Sequence, residues 1–244
     1  MELHPATGGF EDGQRYERAR PDYPPAAVDW LVEALGVARG DRVLDVGAGT
    51  GKLTRPLLER GLHVIAVEPV AGMRGTLERT AAAAHVRAGR AEALPLGDEQ
   101  VDAVVAGQAF HWFATLDALR EFARVLRPAG RLGLVWNRRD LEQPLQADIR
   151  RLVAPYRGGA PEHASDAWRS AFTSDAPFAL DEERAFGHAQ ALDADGLVDR
   201  VLSISFIATL PGDEQRVIAE QVRGLAPEGP VELRYVTELS VYRR

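Results

Sequence analysis

The sequence predicts an α/β protein built on a doubly wound sheet, and three observations predict it. Short β-rich runs alternate with helical stretches of roughly ten residues between Arg42 and Trp136, the mark of βαβ units and a parallel sheet. Some of these runs are apolar throughout, as in VIAV from Val64 to Val67, which strands buried on both faces require. A glycine cluster, Gly47 to Gly51, closes the first run where a helix begins. The expected architecture is α/β, a seven-stranded sheet with its last strand antiparallel and an inserted helical lid.

Each element follows from local chemistry. Residues 1–22 are polar and rich in Gly, Arg and acid, with Phe10 and Tyr16 interleaved, and read as an arm or an irregular helix ending at Pro21. Pro24-Pro25 opens a helix whose apolar positions are Val28, Leu31, Val32 and Leu35, stopped at Gly36. Val43–Val46 is the first strand, Leu53–Arg60 a helix ended by Gly61, and His63–Val67 the second strand. Met73–Ala84 reads as a helix, Val86–Ala88 as a short strand and Val101–Val105 as a clearer one. Leu116–Leu126 is a helix stopped by Arg127-Pro128-Ala129-Gly130, and Arg131–Trp136 is the fifth strand.

Beyond Trp136 the alternation breaks. Residues 137–182 are polar, rich in arginine and interrupted by Pro and Gly, with helices expected over Leu141–Val153 and Ala164–Phe172. Arg184–Leu192 is a weak strand, and Asp193 caps a helix to about Leu202. Asp213 is expected to cap a further helix to Gly224, and Val231–Tyr242 alternates as a strand does. One domain over residues 1–244 accommodates this, with a core of 25–136 and 183–244 under a cover formed by the lid, 137–182, and the arm, 1–22.

Composition excludes several chemistries. The chain has 244 residues and no cysteine, so it has no disulfide framework, no zinc–thiolate or iron–sulfur site and no thiol nucleophile. No metal site is expected. A net charge of -7 gives no overall electrostatic reason for a nucleic-acid partner. The amino-terminal stretch lacks the apolar core of a signal peptide, and no run approaches the ~18 apolar residues of a membrane span. A cytoplasmic protein without a membrane partner is the expectation.

The glycine cluster carries the strongest chemical signal. Asp45-Val46-Gly47-Ala48-Gly49-Thr50-Gly51 follows a strand and opens a helix. Glycines there let backbone approach a ligand, and free N–H groups at a helix start face the same way. A phosphate-binding P-loop fails, because Gly51-Lys52 is followed by Leu53 and Val46 stands five positions before Gly51. The dinucleotide spacing G-x-G-x-x-G is missed by one residue. Glu68 closes the second strand, where a carboxylate can accept from both hydroxyls of a ribose. Gln108-Ala109-Phe110-His111-Trp112-Phe113 follows the fourth strand, at the sheet edge where open α/β folds bind ligands. Each feature also has a structural reading: a tight turn, a solvated acid, aromatic core.

VLDVGAGTGKLTRPLLERG, VIAVEP, GRAEALPL, GQAFHWF and EFARVLRPAGRLGLVW together resemble the class I S-adenosylmethionine-dependent methyltransferases, a Rossmann-like family. The similarity is nearest to the type 11, trans-aconitate methyltransferase-like members and covers about residues 41–137; YERARPDYP and LRYVTELSVYRR resemble them more loosely. The resemblance implies S-adenosyl-L-methionine as cofactor. It puts Asp45, Gly47, Ala48, Gly49, Thr50 and Gly51 around the methionyl part, Glu68 on the ribose, and Pro69 and Met73 against the adenine. Ala91 and Glu92 would border the adenine edge, and Gln108, Ala109 and Phe110 the methionyl side. His111 and Trp112 would face the methyl group as the catalytic candidates, while Tyr16 and Arg20 close over the cofactor, Arg20 near its carboxylate. Many members carry Asp where this chain has Arg90, which cannot accept from the adenine amino group.

The implied activity is methyl transfer to O, N or a carboxylate of a small-molecule acceptor. A non-catalytic cofactor- or partner-binding protein on the same fold is the alternative, and an NAD(P)-dependent oxidoreductase a more distant one. Amino methylation of DNA bases typically uses an Asn/Asp-Pro-Pro-aromatic motif that GQAFHWF does not match, and cytosine carbon methylation needs a cysteine. His111 is the candidate base for a hydroxyl or amine acceptor, or else a positioning or packing residue. Neither acceptor identity nor oligomeric state follows from the sequence.

Overall fold

Residues 4–162 and 165–244 are described in the structure, a computed structural model. Among them, β1 (Arg42–Val46), β2 (His63–Val67), β3 (His85–Arg87), β4 (Val101–Gly107), β5 (Leu126–Arg139), β6 (Ala179–Leu192) and β7 (Val231–Arg243) form one sheet. The strand order is β3-β2-β1-β4-β5-β7-β6. The pairs among β1 to β5 are parallel, and β7 runs antiparallel to both β5 and β6. The last strand alone is therefore reversed, as the sequence predicts. The chain leaves β1 toward β2 and β3, then crosses to β4 on the other side. That reversal opens a crevice at the carboxyl ends of β1 and β4, the place where such sheets bind ligands.

Strand alternation sorts side chains to two cores. Val43, Val64, Ala103, Val105 and Val135 meet α2 (Pro25–Leu35) and α3 (Thr54–Glu59), with Trp30, Leu31 and Leu57 in the contact. On the same side, α4 (Ala71–Thr80) sets Leu77 against Ala66. On the opposite face Leu44, Val46, Val104, Leu132, Leu134 and Trp136 pack on Leu119 and Phe122 of α5 (Leu116–Val125). Burial of each such large apolar side chain contributes roughly 1.5–3 kcal/mol.

A separate core lies above the carboxyl edge of the sheet. It joins α6 (Pro144–Val153), α7 (Ala194–Leu202), α8 (Ser205–Ala208) and α9 (Gly212–Leu225) with Val231, Leu233 and Tyr235 of β7. The helical cover is thus not the insertion 137–182 alone: most of its helices come after β6. The inserted segment itself is mixed. Its first three residues extend β5 and its last four begin β6, which starts at Ala179 rather than Arg184. Residues Ala179–Ala185 are exposed edge strand, so no apolar alternation marks them.

Other boundaries shift for local reasons. The helix expected from Leu141 starts at Pro144, a residue suited to the first helical position. The helix expected over Met73–Ala84 runs Ala71–Thr80, because the chain must turn at Ala81 to enter β3 at His85. Of the helix expected over Ala164–Phe172, Ala164 lies outside the described residues, and Ala167–Ala171 forms a 3-10 turn. Asp193 caps α7, accepting from the Gly196 N–H at 2.7 Å. Asp213 does not cap α9; Pro211 holds that position, and Asp213 sits with Glu214 in the first turn, favourable for the helix dipole. The first three residues of the arm lie outside the described residues. The rest forms a 3-10 turn, Pro5–Phe10, and α1 (Gly13–Ala19). No described helix is long and apolar enough to cross a membrane.

Candidate active site

A cavity of about 920 Å³ opens at the carboxyl ends of β1, β2 and β4, between the sheet, the arm and the cap helices. The predicted site residues line it with two exceptions, Gly51 and Phe110. Gly51 faces the core: a Cβ there would lie 2.8 Å from Leu77 Cδ1. Phe110 is fully buried and packs on Phe113, Phe122, Trp168 and Phe172. At these two positions the chain packs on the core and does not line the cavity.

The turn after β1 is held by its flanks. Gly47, Gly49 and Gly51 all have positive φ, at 67°, 59° and 91°. At Gly47 an added Cβ would strike Ala109 Cβ at 2.7 Å, whereas at Gly49 it would meet no atom of the described residues within 4 Å. Gly49 is therefore the glycine whose bare face opens on the cavity. Ala48 is buried against Ala66 and Leu77. The Thr50 hydroxyl donates to Glu17 Oε2 at 2.5 Å, and Glu17 Oε1 accepts from Arg55 Nη2 at 2.7 Å. Glu17, which sequence reasoning did not single out, so ties α1 to the glycine turn.

Two buried carboxylates flank Gly49. Glu68 is 5% exposed; its Oε2 accepts from the Gly49 N–H at 2.9 Å and its Oε1 from the Val70 N–H at 2.8 Å. Each oxygen retains acceptor capacity. Burial raises the Glu68 pKa, and the two backbone bonds oppose that rise. Asp45 is wholly buried. Its Oδ2 accepts from the Thr54 hydroxyl at 2.6 Å, while its Oδ1 has no partner among the described residues. Burial pushes the Asp45 pKa up to about 7, against the Thr54 bond, with the Glu68 charge adding to the rise. An orphaned buried acceptor, an open glycine face and a second acid suit a ligand bearing an ammonium group and vicinal hydroxyls.

The adenine-side candidates stand along one wall. Pro69, Met73, Ala91 and Glu92 line the cavity, with Met73 and Ala91 buried. Arg90 Nε lies 3.7 Å from Glu92 Oε2, so the cation that replaces the usual acid has a carboxylate beside it.

The loop after β4 supplies the opposite wall. Gln108 takes a left-handed φ of 57°, uncommon for a side-chain-bearing residue. It is held there by its N–H donating to Val135 O at 2.8 Å and its Nε2 donating to Asn137 O at 3.2 Å. Ala109 leads into a 3-10 turn, Phe110–Trp112. Trp136 Nε1 donates to His111 Nδ1 at 3.4 Å. A neutral His111 in this arrangement carries its proton on Nε2. Trp112 meets Phe10 edge-on at 5.6 Å and His4 at 5.8 Å, so the arm covers the loop. Tyr16 completes this cover: Phe10 packs on its ring edge-on at 5.8 Å, and the Arg20 guanidinium lies over it at 4.8 Å. Arg20 also donates to the Ser203 hydroxyl and carbonyl at 3.1 and 2.8 Å.

Comparisons with known proteins agree with this architecture. The family model described as "Methyltransferase domain", type 11, matches residues 44–134. An uncharacterised methyltransferase of Mycobacterium tuberculosis H37Rv is 41% identical over 215 residues, spanning 88% of this chain and 84% of that protein. A solved structure from Anaeromyxobacter dehalogenans, provisionally assigned as a type II methyltransferase, superposes with a TM-score of 0.68 at 26% identity, covering 92% of this chain and 97% of the other. A geranyl diphosphate C-methyltransferase of Streptomyces coelicolor, solved with S-adenosyl-L-homocysteine among its ligands, shares the fold at a TM-score of 0.51 and 14% identity, covering 90% and 78%.

Proposed function

Since this chain belongs to the type 11 class I methyltransferases, we propose that it binds S-adenosyl-L-methionine at the glycine turn and methylates O, N or a carboxylate of a small molecule in the same cavity. One observation carries the reading: the open face of Gly49 and the buried acids Asp45 and Glu68 line one cavity at the sheet's switch point. S-adenosyl-L-methionine supplies a sulfonium methyl group already activated for transfer.

The chain's own residues bind, align and exclude water. Asp45 Oδ1 receives the ammonium of the methionyl part, and the remaining acceptor capacity of Glu68 receives the ribose hydroxyls. Pro69, Met73 and Ala91 give the adenine an apolar wall. Phe10, Tyr16 and Trp112 close the methyl-bearing end against water. His111 serves as a positioning donor through Nε2–H, because its other nitrogen is taken by Trp136. An acceptor held in line then reacts by proximity.

Thermal denaturation in the presence of candidate ligands tests this. S-adenosylhomocysteine raises the melting temperature in proportion to the logarithm of its concentration, and NAD or NADP leaves it unchanged. Stabilisation by NAD(P) and not by S-adenosylhomocysteine refutes the assignment.

A further inference from the structure

The far end of the cavity, beneath the cap, is lined by arginines that the cofactor reading leaves without a task. Arg139 ends β5 and stands opposite Tyr235 in the β5–β7 ladder. Its guanidinium makes no hydrogen bond or ion pair to another described residue. Arg200 comes from α7 and is 5% exposed. Its Nε donates to the Tyr235 hydroxyl at 3.0 Å, but its Nη1 has no partner among the described residues. Both side chains line the cavity, and Arg20 and Arg157 stand close enough to repel Arg139.

These charges are poorly compensated. Among the described residues, Arg157 has a carboxylate partner, Glu162, at 3.0 Å, and Arg20 donates to the neutral Ser203 and lies over the Tyr16 ring. Burial and the neighbouring Arg200 push the Arg139 pKa down to about 9; burial and Arg200 likewise push Arg20 down to about 10. A buried guanidinium with an unsatisfied N–H is costly to the protein alone. It becomes favourable when a planar oxyanion takes both forks. The methionyl carboxylate of the cofactor offers one such group, and the sequence resemblance gives that group to Arg20. Arg139 and Arg200 remain.

Resting on the methyltransferase reading above, we infer that Arg139 and Arg200 form an acceptor subsite for an oxyanion, so that the methyl acceptor is a small molecule bearing more than one carboxylate or a phosphate group. The overall net charge of -7 does not oppose this, because the positive field is local and enclosed. The subsite lies in the same cavity as His111. An acceptor anchored by its charged end presents its nucleophile from the other end, and binding energy at the anchor aligns the reacting atom.

The test uses protein first saturated with S-adenosylhomocysteine, which brings its own carboxylate and fills the cofactor's share of the arginines. Succinate, inorganic pyrophosphate and the neutral succinamide are then titrated by calorimetry at constant ionic strength. The expected result is one saturable site for succinate or pyrophosphate and none for succinamide; which anion binds separates a carboxylate acceptor from a phosphorylated one. Arg139→Gln and Arg200→Gln each weaken that anion by about tenfold or more while S-adenosylhomocysteine affinity stays within twofold. Arg223→Gln, a surface control paired with Asp195, changes neither. Absence of anion binding to the saturated protein overturns the inference, as does a Gln variant that lowers S-adenosylhomocysteine affinity instead. Failure of S-adenosylhomocysteine itself to bind is a separate outcome, and it removes the cofactor reading and this inference together.

Discussion

Glu68 Oε2 accepts a hydrogen bond from the Gly49 N–H at 2.9 Å, so the acid that ends β2 also holds the turn that follows β1. The sequence suggests only a ribose acceptor at Glu68. The structure gives it a second duty, and that changes what a substitution does.

Glu68→Ala removes the ribose acceptor and releases the turn together. Bonds to charged groups are each worth roughly 1.5–3 kcal/mol, so S-adenosylhomocysteine affinity falls by at least tenfold. Glu68→Gln keeps one carbonyl acceptor for a backbone N–H and loses less. Calorimetry on both variants, with circular dichroism to verify folding, orders them as wild type, Gln, Ala. Equal affinities across the three would place the ribose elsewhere.

Asp45 predicts a proton count. Its carboxyl is pushed up to about 7 by burial, so at pH 6 most of the free protein carries that proton. An ammonium placed beside Oδ1 favours the ionised form and lowers the pKa. S-adenosylhomocysteine binding therefore releases most of one proton at pH 6 and almost none at pH 8.5. Titrations in buffers of different ionisation enthalpy measure this. Asp45→Asn abolishes the main part, and any remainder belongs to Glu68, whose pKa burial also raises. The same shift bears on stability: a raised acid binds its proton more tightly in the folded state, so the free protein loses stability as pH rises from about 4 to 7.

The Trp136–His111 contact separates two roles for His111. As a positioning donor, His111→Asn retains an N–H and loses less than tenfold in kcat, while Trp136→Phe loosens the ring and raises KM. As a general base, His111→Asn removes the titrating imidazole, costs about 10²–10⁴ in turnover, and abolishes the acidic limb of the pH–rate profile. The 3.4 Å bond to Nδ1 favours the first outcome.

Much of the sheet is legible from sequence because its signals are local. The runs His63–Val67 and Val231 onward match the strands closely, and Gly36 ends α2 in the left-handed conformation that glycine permits. The glycine turn, Glu68 and the loop after β4 are each contiguous motifs, and they converge because parallel strands end on one side. What the sequence does not disclose joins distant residues. Glu17 meets Thr50, Arg20 meets Ser203, and Arg200 meets Tyr235 across separations of 33, 183 and 35 residues. Arg139 sits in a stretch that reads as polar cover and Arg200 in a helix that reads as part of the core, and nothing local marks either arginine as lining a cavity. The cap core fails to show for the same reason: α6 precedes β6 and shares its core with α7, α9 and the start of β7, which follow it.

The central claim is that a cofactor sits against the bare face of Gly49, and titration of S-adenosylhomocysteine into wild-type protein and Gly49→Asn tests it most directly. Asn tolerates the left-handed backbone that Gly49 adopts at φ 59°, so its side chain enters the open space without breaking the turn. The account predicts one site in the wild type and no measurable binding in the variant, with unfolding transitions that otherwise agree. Wild-type affinity in a folded Gly49→Asn protein would contradict it, leaving the glycine turn a structural feature and the ligand elsewhere.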